Sequence, residues 1–324
     1  MTRLRRALLP AIALGALALS SSSASRAQAA TASPGNAGAN PTSVTTVGTF
    51  RVEKYGAGSP AMVFIPGLSC GSWVWDGAVK TYAKTHAVYV VTLAGFDGLP
   101  AASGPAMDGA DASLLALVTG EKLKRPVIVG HSLGGFLALR FGEEHSDLVS
   151  GIVAVDGLPV FPTLAQSTPE QRGSIADSIT SQIATATHDQ YLDTQKKTLA
   201  AMVTDPAQVD RVADLAAKSD PKAVAAYAND LFRSDLRPAL PKLTAPTLEI
   251  GPVPTTPAAF EGPQAATESM ADRAAGYKAF YTSLFPAAPN VTVVMIPNSK
   301  HFIMIDQPKS LFDTITAFVA KLPS

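Results

Sequence analysis

A chain of 324 residues, 47% of them apolar, can bury a sizeable core and is long enough for one large domain with an insertion or for two domains. Its 26 basic and 26 acidic side chains cancel and form no long run of either sign, which argues against nucleic acid or an anionic membrane as partner and favours a small neutral ligand. Cys70 is the single cysteine, so no internal disulfide can form and stability must come from the core.

The chain opens on Arg3, Arg5 and Arg6, then a short apolar stretch over 7–20, then the small residues Ala27-Gln28-Ala29. That is the pattern of an export signal over 1–29, with a mature start near Ala30 and a periplasmic or secreted destination. The apolar stretch is short and broken by Pro10, which disfavours a membrane anchor. Residues 30–47 are mostly Ser, Thr, Pro, Gly, Asn and Ala without periodicity and read as a flexible leader.

Beyond the leader, apolar β-branched runs at 62–65, 88–93, 127–129, 152–155, 247–250 and 291–296 alternate with helical patterns. This rhythm predicts a mostly parallel central sheet with helices on both faces, an α/β fold, with 49–55 as an antiparallel edge strand. Helices are expected after Ser132, over 271–284 and over 308–322. The rhythm stops between 158 and 243, where polar helical segments replace strands. Thr168-Pro169-Glu170-Gln171 reads as a capping box with proline at the first helical position, and Asp205-Pro206 and Asp220-Pro221 start two further helices. The expected organisation is a core built from 48–157 and 244–324, with an inserted helical cap over 158–243. Such a cap would lie over the carboxyl ends of the strands, where open α/β sheets bind ligands.

Gly130-His131-Ser132-Leu133-Gly134 follows the apolar run 126–129 and opens the helical pattern 136–140. A strand, a tight turn and a helix with G-x-S-x-G at the turn form a nucleophile elbow, whose glycines permit a strained backbone that leaves the Ser132 hydroxyl exposed above the sheet. The order of the elements, the run Gly130 to Gly135, and Ser299-Lys300-His301-Phe302 after the last strand together resemble the α/β-hydrolase family over roughly 49–322. The resemblance implies an α/β-hydrolase fold with a helical cap. Its motifs are shared by esterases, lipases, thioesterases, lactonases, peptidases and carbon–carbon bond hydrolases, so they imply a scaffold and not a substrate.

A serine hydroxyl needs a positioned base, and five histidines are available. His301 is the candidate because it follows the last strand on a loop returning to the sheet edge of the elbow, and serine before histidine is the family order. His131 points away from its neighbour's hydroxyl in such a turn, while His86, His145 and His188 read as solvated or packing residues. The third member should be a carboxylate that holds the imidazole tautomer. Family members often carry it after the penultimate strand, but the turn after 247–250 holds no aspartate and Glu249 lies inside the strand. The strand 152–155 instead delivers Asp156 at the carboxyl end of the sheet, and Asp156 is the candidate acid. A plain turn cap is its alternative role. Glu249, Glu261 and Asp306 remain as other acids, Asp306 with helix capping as its simpler explanation.

The fold implies backbone donors for a developing oxyanion from Leu133 and, in the loop 66–71, from Leu68. In that loop Ser69 could add a hydroxyl and Cys70 a small buried filler, while Trp73 and Trp75 could shape an acyl pocket or pack a helix. The histidines show no metal-ligand spacing and no phosphate-binding loop occurs, so neither metal nor cofactor is expected. A serine at the elbow also disfavours dehalogenase or epoxide hydrolase chemistry, which needs a carboxylate there. The expectation is an exported serine hydrolase of carboxylic esters, or of related thioesters or lactones, acting through Ser132, His301 and Asp156. An aminopeptidase with an acidic pocket in the cap, or a non-catalytic ligand receptor on the same scaffold, are the alternatives.

Overall fold

Val, Ile and Phe on both faces of the central strands leave no side for solvent, and a computed structural model, which describes residues 40–256 and 267–323, encloses those strands between helices. The strands are β1 (Ser43–Val47), β2 (Phe50–Tyr55), β3 (Met62–Ile65), β4 (Val88–Leu93), β5 (Val127–His131), β6 (Gly151–Val155), β7 (Thr247–Val253) and β8 (Val291–Pro297). They form one sheet in the order β1-β2-β4-β3-β5-β6-β7-β8, antiparallel where β2 meets β1 and β4 and parallel elsewhere. The α/β reading of the sequence holds. The expected export signal and Glu261 lie outside the described residues.

Helices α1 (Asp76–Tyr82), α2 (Ala106–Gly120) and α3 (Leu133–His145) join the first strands. Four more, α4 (Pro169–Ala184), α5 (His188–Met202), α6 (Pro206–Ala216) and α7 (Pro221–Arg233), fill the interval between β6 and β7, and α8 (Met270–Ser283), α9 (Ile303–Asp306) and α10 (Pro308–Val319) complete the chain. One apolar cluster packs α2, α3 and α8 on one face through Leu114, Phe136 and Tyr281. The other packs α1 and α10 on the opposite face through Val79, Phe312 and Ile315. Trp73 and Trp75 belong to this second cluster, with the Trp75 ring 5.1 Å from that of Phe64, so both pack the core and neither lines an acyl pocket.

Two boundaries differ from the sequence reading. The leader gives way to structure at Ser43, because β1 pairs along β2 from Ser43 opposite Lys54 to Val47 opposite Phe50. It, and not 49–55, is the edge strand. Four of its five residues are exposed, so backbone hydrogen bonds hold it and no apolar alternation announces it. The cap also contains one helix more than expected. Thr187 and Gln190 form a reciprocal capping box at the start of α5, Gln190 N donating to Thr187 Oγ1 at 3.3 Å and Thr187 N to Gln190 Oε1 at 2.9 Å. That Thr-x-x-Gln spacing was the sequence signal for it. The caps at Thr168, Asp205 and Asp220 are present as the sequence indicates.

Candidate active site

Strand register brings the first two candidates side by side. His131 of β5 is opposite Val155 of β6, so Ser132 and Asp156 leave adjacent parallel strands at the same level. Ser132 N donates to Val155 O at 2.9 Å, and Asp156 N donates to Ile250 O of β7 at 2.8 Å, which fixes both turns to the sheet. Each residue has a left-handed backbone, with φ of 53° at Ser132 and 50° at Asp156, a conformation costly for a side chain with Cβ and found where surrounding structure enforces it. The glycines around the elbow allow this by close approach. A Cβ on Gly130 would lie 2.0 Å from Gly134 O, and one on Gly134 would lie 2.3 Å from Ile65 O.

His301 reaches the same point from the loop after β8. Its Nδ1 lies 2.5 Å from Asp156 Oδ2, and only 10% and 6% of the two side chains is exposed. With Nδ1 engaged by the carboxylate, Nε2 is the nitrogen left for proton transfer. Ser132 and His301 line one cavity. The structure closes the His301–Asp156 half of the arrangement with a hydrogen bond, whereas Ser132 and His301 share the cavity wall. His131 braces the histidine loop from behind. Its Nε2 contacts His301 O at 3.1 Å, its ring centroid is 4.6 Å from that of His301, and burial, followed by the neighbouring His301, pushes its pKa well below the usual histidine range. A neutral His131 therefore donates from Nε2 to that carbonyl.

The loop 66–71 borders the cavity through Leu68, Ser69 and Cys70. Leu133 opens α3, so its amide has no carbonyl one turn earlier to bond. Ser69 has φ 62°, its Oγ is 2.6 Å from the Tyr191 hydroxyl of α5, and its carbonyl accepts from Ser219 Oγ at 3.2 Å. The loop is thereby tied to the cap. Cys70 is buried, which pushes its thiol pKa up and leaves it a filler of the wall.

The remaining acids take other places. Asp306 does not cap α10, whose N-cap is Gln307. Its carboxylate instead accepts from Lys300 N at 2.7 Å, Thr204 N at 2.9 Å and Thr204 Oγ1 at 2.7 Å, tying the end of α5 to the histidine loop. Glu249 is fully buried in β7, and burial, then the nearby Asp156, raises its pKa well above the usual range. His86 Nδ1 lies 2.9 Å from Pro60 O, His145 ends α3 with its ring against Phe141, and His188 is exposed at the start of α5, all away from the cavity.

The cavity measures about 300 Å³ between the core and the cap. Ile179, Ile183, Leu231 and Phe232 form an apolar wall, and Gln182, Thr194, Gln195 and Thr198 supply neutral polar groups. Among its described lining residues there is no Asp, Glu, Lys or Arg. Sequence reasoning missed Tyr191, which closes the cavity against Ser69, and Tyr281, whose hydroxyl donates to Asp156 Oδ1. Among the described residues no cluster of three His, Cys, Asp or Glu could hold a metal ion, and no helix is long and apolar enough to cross a membrane.

A model of the alpha/beta hydrolase family matches residues 62–314. The chain is 26% identical over 197 residues to a pimeloyl-[acyl-carrier protein] methyl ester esterase of Vibrio atlanticus, covering 59% of this chain and 74% of that protein. It is 24% identical over 283 residues to a 2-(acetamidomethylene)succinate hydrolase of Mesorhizobium japonicum, covering 84% of this chain and 91% of the relative. Among solved structures, the enol-lactonase of Burkholderia xenovorans LB400 superposes with a TM-score of 0.67 at 17% identity, over 86% of this chain and all (100%) of that one.

Proposed function

Since the chain belongs to the alpha/beta hydrolase family, we propose that it hydrolyses small neutral carboxylic esters, or related thioesters or lactones, through a Ser132-His301-Asp156 triad. The observation that carries the reading is the 2.5 Å approach of His301 Nδ1 to Asp156 Oδ2 on the wall of the cavity that Ser132 also lines. The relatives named for ester hydrolysis support the bond type.

In this mechanism Ser132 Oγ attacks the substrate carbonyl carbon while His301 Nε2 takes its proton, and Asp156 stabilises the imidazolium that forms. The amides of Leu68 and Leu133 receive the oxyanion, a contribution of ~10² to 10³ in rate for each donor in comparable sites. Collapse expels the alkoxide, which takes the proton back from His301, and leaves Ser132 acylated. Water then repeats the sequence from the other side, releasing the acid and restoring the serine. No metal or cofactor takes part.

The cavity's lining favours an ester over a peptide N-terminus, because an aminopeptidase needs a carboxylate to hold the substrate ammonium and the described wall offers none. Turnover separates the enzyme from a receptor. A panel of p-nitrophenyl esters of short and medium acyl chains should show saturable hydrolysis that Ser132→Ala loses by ~10⁴-fold or more. A folded wild-type protein that turns over none of them contradicts the reading. Export to the periplasm or medium is also proposed, on the charged, apolar and small-residue pattern of residues 1–29. N-terminal sequencing of the extracytoplasmic protein should give a start near Ala30, and protein confined to the cytoplasm with Met1 intact contradicts export.

A further inference from the structure

Asp156 is held by more than the histidine. Its two oxygens have different partners: Oδ2 meets His301 Nδ1 at 2.5 Å, and Oδ1 accepts the hydroxyl of Tyr281 from α8. Tyr281 is 125 residues away in sequence and buried. Space for its ring is made by Gly251 of β7, where a Cβ would lie 2.7 Å from Tyr281 Cε1. The penultimate strand, which offers no aspartate at its carboxyl end, thus yields its surface to a tyrosine that reaches across to the acid of the neighbouring strand.

We propose that Tyr281 is a positioning residue, whose hydroxyl holds Asp156 Oδ1 so that the carboxylate plane is fixed and Oδ2 is presented to His301. The proposal rests on the triad reading above. A carboxylate is an acceptor only, so between Tyr281 and Asp156 the phenol must donate, and a bond to an ionised acceptor is among the strong ones. Without it a buried carboxylate oxygen would lose its partner and the group would be free to turn about its last bond.

The groups facing Asp156 are consistent with a single negative charge there. His301 approaches from the loop after β8 and Tyr281 from α8, with Tyr277 of the same helix near Tyr281. Glu249 approaches from β7, where it stands opposite Ala154, two residues before Asp156. Burial of Glu249 first, and Asp156 second, favour its protonated form, against a smaller opposing effect of the Gly157 backbone N–H. The burial of Tyr281 and the charge of Asp156 likewise keep the phenol protonated, as a donor must be.

The test is Tyr281→Phe, which keeps the ring and removes the donor, with Gly251→Ala as a second variant whose new methyl group crowds the ring and the end of Met295. Two readouts are taken: the far-downfield proton resonance of His301 Nδ1–H, which needs no substrate, and kcat, KM and the pH profile of ester turnover. In both variants the resonance should shift. In Tyr281→Phe, kcat should fall about ten- to a hundredfold, the size of a lost hydrogen bond to a charged group. KM should stay within about twofold, because the contact acts on the reacting histidine and not on bound substrate. The pH profile of kcat/KM should move to higher pH, since a carboxylate without its donor holds the imidazolium more tightly. A folded Tyr281→Phe with unmoved resonance, kcat and pH profile overturns the positioning role and leaves the hydrolase reading standing. A wild type that turns over no ester, in which Tyr281→Phe nonetheless shifts the resonance, sinks the hydrolase reading and retains the positioning role.

Discussion

Ser132 and Asp156 occupy equivalent places on neighbouring strands, each the first residue past the sheet and each with a positive φ. Backbone strain of this kind persists where the surroundings over-determine it, and here the elbow glycines and the β6–β7 hydrogen bond do so. If Asp156 orients His301, Asp156→Asn should lower kcat by ~10⁴-fold, as the wrong imidazole tautomer is then favoured, with the thermal unfolding transition close to that of the wild type. A variant with undiminished turnover would remove Asp156 from the triad and return it to a turn former. These positions were legible in the sequence because Ser132 sits in a G-x-S-x-G turn after a buried β-branched run and Asp156 directly follows another. Tyr281 was not, since nothing in the pattern of 271–284 distinguishes a tyrosine that packs a helix from one whose hydroxyl meets an acid 125 residues away.

At the scale of elements, α5 is the member that joins the cap to the chemistry. Its first turns carry Tyr191 to Ser69 on one side of the cavity. At its other end Lys300 Nζ donates to Ala200 O and Val203 O at 3.1 and 3.0 Å, and Asp306 bonds Thr204. One helix therefore spans the loop of the candidate oxyanion donor and the loop of the histidine. Its capping box was present in the sequence, but its mean character is polar and gave no apolar stripe to read. In α3, Glu143 is buried and its pKa is raised to about 7 by burial first and by Glu144 second. A carboxyl whose folded pKa lies above its unfolded value contributes stability that is whole below the unfolded pKa of about 4.3. That contribution is lost as pH rises and is gone once the folded pKa is passed. Glu143→Gln removes the dependence, so its melting temperature should gain on the wild type between pH 4.5 and 7 and hold that gain above. Parallel stability curves for the two proteins across this interval would show that Glu143 ionises freely in the fold.

For the molecule as a whole, the mostly parallel sheet between helices, the helical interval between β6 and β7, and the meeting of β5, β6 and the loop after β8 at the carboxyl end of the sheet follow from where apolar runs begin and end, whereas the strand order does not. The edge strand β1 did not, because an exposed strand held by backbone bonds leaves no side-chain pattern. Nor did the chemistry of the cavity wall, which is assembled from α4, α5, α6, α7 and several loops that are distant in sequence. That wall carries no cation among its described residues, and leaving a buried carboxylate unpaired costs several kcal/mol. Esters whose acyl chain ends in a carboxylate should therefore be hydrolysed at least about tenfold less efficiently than neutral esters of equal length. Equal kcat/KM for the two would place a cation at the site. Fluorophosphonate labelling followed by peptide mass spectrometry tests the activation of Ser132 without knowledge of the substrate. Ser132 should be modified in the wild type and unmodified in His301→Ala; a folded wild-type protein that takes no label, or takes it elsewhere, would contradict an activated Ser132.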